Sequence, residues 1–391
     1  MDKPSPIASA ARATSASGPV IHVMLVDDSA IVRGMMTRAF QDEPLIKVVA
    51  TASDGEMALR VVTQQSVDII ILDIEMPRMD GITALPELLR LSPQSRVIMA
   101  STLTERNAEI SLKALSLGAS DYVPKPSSTK EPDAAANFYR ELKQKIIALG
   151  SKQAKHMAAS RAQTPSAVSL SLPPVVKPKI DLRTPDGQIQ YPDHPIQAIA
   201  IASSTGGPQA LLSVLKALYQ TPVKVPVFIT QHMPEKFTAL LAQHLSQDAQ
   251  CDCNEAVHGE MISAGKVYLA PGNFHMCLQP ASSAVQVVLN QEAPVNFCRP
   301  SADPMLMSLA NIYQRQLLVV VLTGMGHDGL AGARYAIEKG GAVIAQDEET
   351  SVVWGMPGAV AQAGLCKAVL PLPDIAPYII RALERVNHAG R

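Results

Sequence analysis

Ser203 and Ser204 lie in IASSTGGPQALL, where an apolar run breaks into hydroxyls and glycines and then resumes with helical spacing. His232 ends the run VFITQHM, and Asp328 follows another in VVVLTGMGHDG. A serine hydroxyl attacks a carbonyl readily only when a base takes its proton, and an imidazole serves best when a carboxylate fixes its tautomer. Hydroxyl, imidazole and carboxylate after three apolar runs therefore point to acyl transfer. The turn suits that chemistry. N–H groups at a helix start, with Gly206 and Gly207 permitting close approach, can stabilise an oxyanion or cradle a bound anion.

Spacing alone leaves other assignments open. His275 and His327 are rival bases, Asp347 is a rival acid, and Asp328 could instead cap a helix starting at Leu330. The chain order of the three groups matches neither the α/β-hydrolases nor the chymotrypsin-like or subtilisin-like proteases, and G-x-S-x-G is absent.

A second constellation lies nearer the amino terminus. Asp27 and Asp28 follow VMLV, Asp73 follows IIIL, Ser101 follows VIMA and Lys125 ends DYVPK. Carboxylates gathered at one sheet edge repel, and a hard divalent cation such as Mg²⁺ relieves the repulsion with oxygen ligands. One aspartate next to such a cation can accept a phosphoryl group, with lysine and hydroxyl answering the added charge. Taken singly, Asp28 or Ser29 could be a helix cap and Asp73 a turn residue.

Both sets need strands that end on a common rim. From His22 to about Gly150, the runs VMLV, KVVAT, VDIIILD, RVIMAS and DYVPK alternate with helix-period segments such as SAIVRGMMTRAF, the pattern of a parallel sheet covered by helices. From Ser151 to about Pro195, prolines and small polar residues predict a mobile linker without helix or strand, with PPVVKP extended. Alternation returns in IQAIAIA, VPVFITQH, KVYLAP, AVQVVLN, LLVVVLTG and GAVIAQD, which predicts a second doubly wound α/β unit. Ligands in such sheets bind beyond the carboxyl ends of the strands, where the candidate residues stand.

Composition narrows the classes. A formal net charge of −1 over 391 residues offers no global attraction to nucleic acid or anionic membrane. The first 19 residues lack the apolar block of a secretory signal and read as a disordered tail, and no apolar run is long enough to span a bilayer. Five unevenly spaced cysteines, Cys251, Cys253, Cys277, Cys298 and Cys366, suit a reducing compartment, with cytoplasm the expectation. A metal site from Cys251, Cys253, His258 and Cys277 is the less favoured reading of that group.

LVDDSAIVR, ILDIEMPRMDG and GASDYVPKP resemble the receiver domain of bacterial response regulators over about residues 21–145. That resemblance implies phosphorylation of Asp73 by a partner histidine kinase, Mg²⁺ held by Asp27 or Asp28 with Asp73, and Ser101 and Lys125 as the groups that sense the phosphoryl charge. SSTGGP, QHMPEKFT, LAPGNFHM and VVLTGMGHDG are similar to the catalytic domain of the chemotaxis protein-glutamate methylesterase (CheB) family over about residues 193–388. The similarity implies a flavodoxin-like receiver, a linker over 146–192 and a Rossmann-like esterase domain. It selects Ser204 as nucleophile, His232 as base and Asp328 as its partner, with backbone N–H groups of Thr205 and Met325 at the oxyanion. The family more often has a small residue without a hydroxyl where Ser203 stands. Methyl-accepting chemoreceptors would be the substrate for demethylation and glutamine deamidation, with no cofactor in the esterase half.

Joining a switch to an esterase implies control, and the expectation is that the unphosphorylated receiver covers the Ser204 crevice. A DNA-binding output would need a basic recognition helix, and a nicotinamide-dependent oxidoreductase the full G-x-G-x-x-G spacing; the second half shows neither.

Overall fold

A computed structural model of the chain describes residues 18–102, 104–126, 132–161, 190–282 and 284–384. The first unit alternates β1 (Ile21–Val26), α1 (Ala30–Ala39), β2 (Ile46–Ala52), α2 (Gly55–Gln64), β3 (Ile69–Asp73), α3 (Gly81–Leu91), β4 (Arg96–Thr102), α4 (Glu105–Ser116), β5 (Asp121–Lys125) and α5 (Pro132–Arg161). Its parallel sheet has the order β2-β1-β3-β4-β5. Side-chain alternation along buried strands feeds two layers. Ile21, Val23 and Leu25 face Phe138, Leu142 and Ile146 of α5, whereas Met24 and Val26 face Ala84, Leu85 and Leu88 of α3. Ser29 caps α1 by accepting from the Val32 N–H, which leaves Asp28 exposed.

The second unit holds β6 (Ala198–Ser203), α6 (Gly207–Leu218), β7 (Val227–Gln231), α7 (Glu235–Ala249), β8 (Cys253–Glu255), β9 (Val267–Leu269), β10 (His275–Ala281), β11 (Ala284–Asn290), α8 (Ala302–Tyr313), β12 (Leu317–Val321), α9 (Leu330–Glu338), β13 (Ala342–Gln346), α10 (Met356–Gln362), β14 (Ala368–Leu370) and α11 (Leu372–Glu384). Seven strands form a parallel sheet in the order β14-β13-β12-β6-β7-β9-β8. Ile199, Ile201, Val320 and Ile344 pack toward α6, α7 and α11. Ala198, Ala200, Val319 and Val343 pack toward α8, α9 and α10.

Two expectations are corrected. The helix-free stretch from Ser151 is helical to Arg161, because SKQAKHMAAS is made mostly of helix-compatible residues and the next proline is Pro165. AVQVVLN is not a strand of the main sheet; as β11 it pairs antiparallel with β10 in a separate hairpin. Strands joined by a tight turn close on each other, whereas the parallel sheet needs a crossover. The expected tail and most of the expected linker, residues 1–17 and 162–189, lie outside the described residues. Among the described residues no helix is long and apolar enough to cross a membrane.

The two units share buried surface. Tyr122 of β5 stacks on Phe237 of α7 with ring centroids 4.4 Å apart. One apolar cluster runs from Leu112 and Leu115 of α4 to Leu211 of α6 and Phe237.

Candidate active site

Ser204 is the first residue beyond β6, the strand at which the chain reverses its direction across the sheet: β7 and β9 follow on one side, β12 to β14 on the other. His232 directly follows β7, whose Gln231 is in register with Ser203. The two side chains therefore start from adjoining strands on one rim. Asp328 enters from the loop after β12, on the opposite flank of β6, and its Oδ2 lies 2.7 Å from His232 Nε2. Asp347 is not part of this group: it accepts from the Thr350 N–H and hydroxyl. His275 is buried, with Nδ1 accepting from Ser301 N and Nε2 facing Ala293 O, and His327 is exposed.

Asp328 caps a helix, though not the one that the sequence suggests. Gly329 occupies the cap of α9, while Asp328 sits at the amino end of α8 and accepts from Ala302 N at 2.6 Å, Asp303 N at 3.3 Å and Ser301 Oγ at 2.7 Å. Asn296 Nδ2 donates to it at 2.9 Å. Burial would raise its pKa, but the bond to His232, the imidazole's charge and the Ser301 and Ala302 donors hold it well below the usual carboxylate range. An ionised carboxylate only accepts, so His232 Nε2 donates and Nδ1 is the basic nitrogen. Nδ1 in turn lies 3.4 Å from the sulfur of Cys298. Burial would lower the imidazole pKa; the Cys298 sulfur and the bonds to Asp328 and Cys298 outweigh it and raise the value.

The turn under Ser204 is locked from below. Gln231 Nε2 donates to Ser204 O at 2.9 Å, Gly207 N does so at 2.7 Å, and Ser204 N donates to Thr323 O. Gly206 has φ +76°, and a Cβ there would stand 2.6 Å from Val352. A Cβ on Gly207 would stand 1.9 Å from Gln231 Oε1, the atom that accepts from Ser203 Oγ at 2.7 Å. Ser203 is thus turned into the core toward Gln231, away from His232, and Ser204 is half-buried at the rim. Among the described residues, Ser204 Oγ has no hydrogen-bond partner and the Thr205 and Met325 N–H groups have no acceptor. Sequence reasoning missed Gln231, Asn296, Cys298 and Ser301. Gln231 was visible only as a polar residue closing a buried apolar strand.

On the first unit, oxygens of Asp27, Asp28 and Asp73 lie within 4.8 Å of one another. Three hard oxygen donors at this spacing fit one Mg²⁺ ion. Lys125 Nζ bridges Asp27 Oδ2 and Asp73 Oδ1, each at 2.7 Å. Burial raises the Asp73 pKa to about 6 against the pull of Lys125, with the Asp27 charge adding to the rise. Ser101 is buried near this edge but bonds Ser111 Oγ at 3.0 Å rather than Asp73.

The first unit reaches the Ser204 turn directly. Thr205 Oγ1 donates to Asp121 Oδ2 at 2.6 Å, and Asp121 Oδ1 pairs with buried Lys145 of α5 at 3.1 Å. Gln209 Nε2 donates to the carbonyls of Leu115 and Ala119 at 2.5 and 3.0 Å. Val352, Val353 and Met325, around the turn, pack in one cluster with Phe138. The Arg140 guanidinium lies 5.7 Å from the ring of Phe297, which is otherwise 90% exposed.

Two family models match this chain: the response regulator receiver domain over residues 23–137 and CheB methylesterase over residues 199–379. A protein-glutamate methylesterase/protein-glutamine glutaminase of a group 2 operon from Rhodospirillum centenum is 48% identical over 393 residues, covering 95% of this chain and 98% of its own. A protein-glutamate methylesterase/protein-glutamine glutaminase from Azospirillum brasilense is 47% identical over 392 residues, 98% of each chain. The crystal structure of the Thermotoga maritima CheB methylesterase catalytic domain is 38% identical, covers 48% of this chain and 99% of that one, and superposes with a TM-score of 0.47.

Proposed function

Since the chain belongs to the CheB family of protein-glutamate methylesterases/protein-glutamine glutaminases with a phosphorylation-controlled receiver, we propose that Ser204, His232 and Asp328 carry the hydrolysis, on methyl-accepting chemoreceptors in the cytoplasm. The observation that carries the assignment is the 2.7 Å His232–Asp328 pair beside a turn in which Ser203 and Thr205 hydroxyls are engaged by Gln231 and Asp121, leaving half-buried Ser204. Ser204 Oγ attacks the γ-carbonyl carbon of a methylated glutamyl residue while His232 Nδ1 takes its proton. The Thr205 and Met325 N–H groups receive the oxyanion. The imidazolium, steadied by Asp328, protonates departing methanol, or ammonia when the substrate is glutamine. Water then attacks the acyl-serine with His232 again as base, releasing the free glutamate. Methanol release from methyl-esterified receptor by the full chain with a phosphodonor tests this reading, and a chain that binds receptor yet releases no methanol would reject it.

The first unit, whose core includes Ile146 and Leu149 of α5, acts as the switch and residues 193–388 as the enzyme. Asp73 accepts the phosphoryl group from a chemotaxis histidine kinase. Asp27, Asp28 and Asp73 would hold Mg²⁺, which when bound offsets phosphoryl charge. Phosphorylation replaces the single carboxylate charge of Asp73 with a phosphoryl group of about −1.5 to −2 near pH 7, a net gain of about one negative charge or less, and its new acceptor oxygens compete for Lys125. Asp73→Asn is expected to keep basal hydrolysis and lose its rise with phosphodonor; an undiminished rise would move the acceptor elsewhere.

Without phosphate the receiver restrains the Ser204 turn through Thr205, Gln209, Val352 and Val353. Gln209→Ala removes two contacts between the units without stranding a charge. Taking the two bonds of the single Gln209 Nε2 together as about 0.5–1.5 kcal/mol, the unphosphorylated variant is expected to release methanol about two- to tenfold faster, approaching the phosphorylated rate. An unchanged basal rate would show that this face does not restrain the enzyme.

A further inference from the structure

Cys298 stands beside the base. Its sulfur is 3.4 Å from His232 Nδ1, the nitrogen that must accept the Ser204 proton, since Nε2 is held by Asp328. The position is built. Val295 and Cys298 exchange both backbone hydrogen bonds, at 3.1 and 2.9 Å, around Asn296 and Phe297 at φ +52° and +64°. A left-handed aromatic residue is unfavourable, and anchors on either side of the turn hold it. Asn296 Nδ2 donates to Asp303 and to Asp328, both at 2.9 Å. Arg299 donates to Asn273 Oδ1 and to the carbonyls of Gln291 and Glu292. The same turn thus braces the carboxylate with one side chain and meets the imidazole with another two residues later.

We propose that Cys298 is a positioning residue of the hydrolysis: its sulfur holds Nδ1 on the Ser204 side and helps stabilise the imidazolium formed when the serine proton arrives. The inference rests on the assignment of His232 as base. The sulfur accepts from Nδ1–H when the ring is charged, and in the neutral ring Nδ1 is the acceptor beside it. When Ser204 engages, its hydroxyl takes over that acceptor, and after proton transfer the new Nδ1–H is shared between sulfur and leaving group. No bond to sulfur forms or breaks. Asp328 thereby stabilises the charged ring from one nitrogen and Cys298 from the other, and the raised His232 pKa agrees in direction with both contacts.

The test compares Cys298→Ala and Cys298→Ser in the full chain with phosphodonor. Cys298→Ala is expected to lower kcat about three- to tenfold with KM little changed, and Cys298→Ser, which keeps a hydrogen-bonding group, to recover part of the loss. The acid limb of the kcat/KM profile should move to lower pH in Cys298→Ala, because a ring without the sulfur gives up its proton more easily. A purely structural role would lower the thermal midpoint without moving that limb. NMR titration of the His232 imidazole reads the same shift without any turnover, which separates this inference from the assignment of the esterase. A kcat and a His232 titration both unchanged in folded Cys298→Ala would overturn the proposal, as would a higher kcat.

Discussion

Ser204→Ala in the phosphorylated chain is expected to lower kcat for methanol release by on the order of 10⁴- to 10⁶-fold, the loss seen when a serine hydrolase loses its nucleophile. Binding of receptor should persist, because the Thr205 and Met325 N–H groups and the turn are untouched. The neighbouring serine supplies the control. Ser203 Oγ donates to Gln231 Oε1 inside the core, so Ser203→Ala leaves that oxygen without its donor and is expected to cost about 1–2 kcal/mol of stability while hydrolysis continues. An active Ser204→Ala beside an inactive, folded Ser203→Ala would transfer the nucleophile to Ser203.

Asp328→Asn should lower kcat by about 10⁴-fold, because an amide can donate to Nε2 and turn the ring to the wrong tautomer. The same change has a stability signature. Asp328 has a folded-state pKa below its unfolded value, so its contribution is complete above the unfolded value of about 3.9 and is lost as pH falls toward the depressed folded value. His232 behaves in the opposite sense: its contribution is complete below about 6.5 and is lost as pH rises through its raised folded value. Thermal midpoints of the wild type should therefore fall on both the acid and the alkaline side, and Asp328→Asn should flatten both limbs. A variant with wild-type pH dependence of stability would show that the pair is not formed in solution.

The residues after strands were legible because a parallel sheet forces its active groups to the carboxyl rim. Asp27, Asp73, Lys125, Ser204, His232 and Asp328 all follow or close apolar runs, and the run itself is the signal. The supporting residues were not legible for the same reason. Asn296, Cys298 and Ser301 lie in the loop between the β10–β11 hairpin and α8, remote in sequence from any strand of the main sheet. Nothing in their spacing indicates that α8 presents its amino end to Asp328. Three-residue strands such as β8 and β14 are too short for alternation to register. The extension of α5 to Arg161 was hidden because small and polar residues were read as linker when alanine and lysine also favour helix. Pairing between the units, such as Asp121 with Thr205, depends on docking and leaves no local trace.

Strand β5 carries Lys125 at one end and Asp121 at the other, so a single five-residue segment touches both Asp73 and the turn that bears Ser204. Any free energy that phosphate exerts on the far end must be returned in kind by what binds there. A receptor helix seated against Ser204 is therefore expected to favour the phosphorylated receiver at equilibrium by the same factor with which the phosphate favours seating, so that occupancy of one end reports on occupancy of the other.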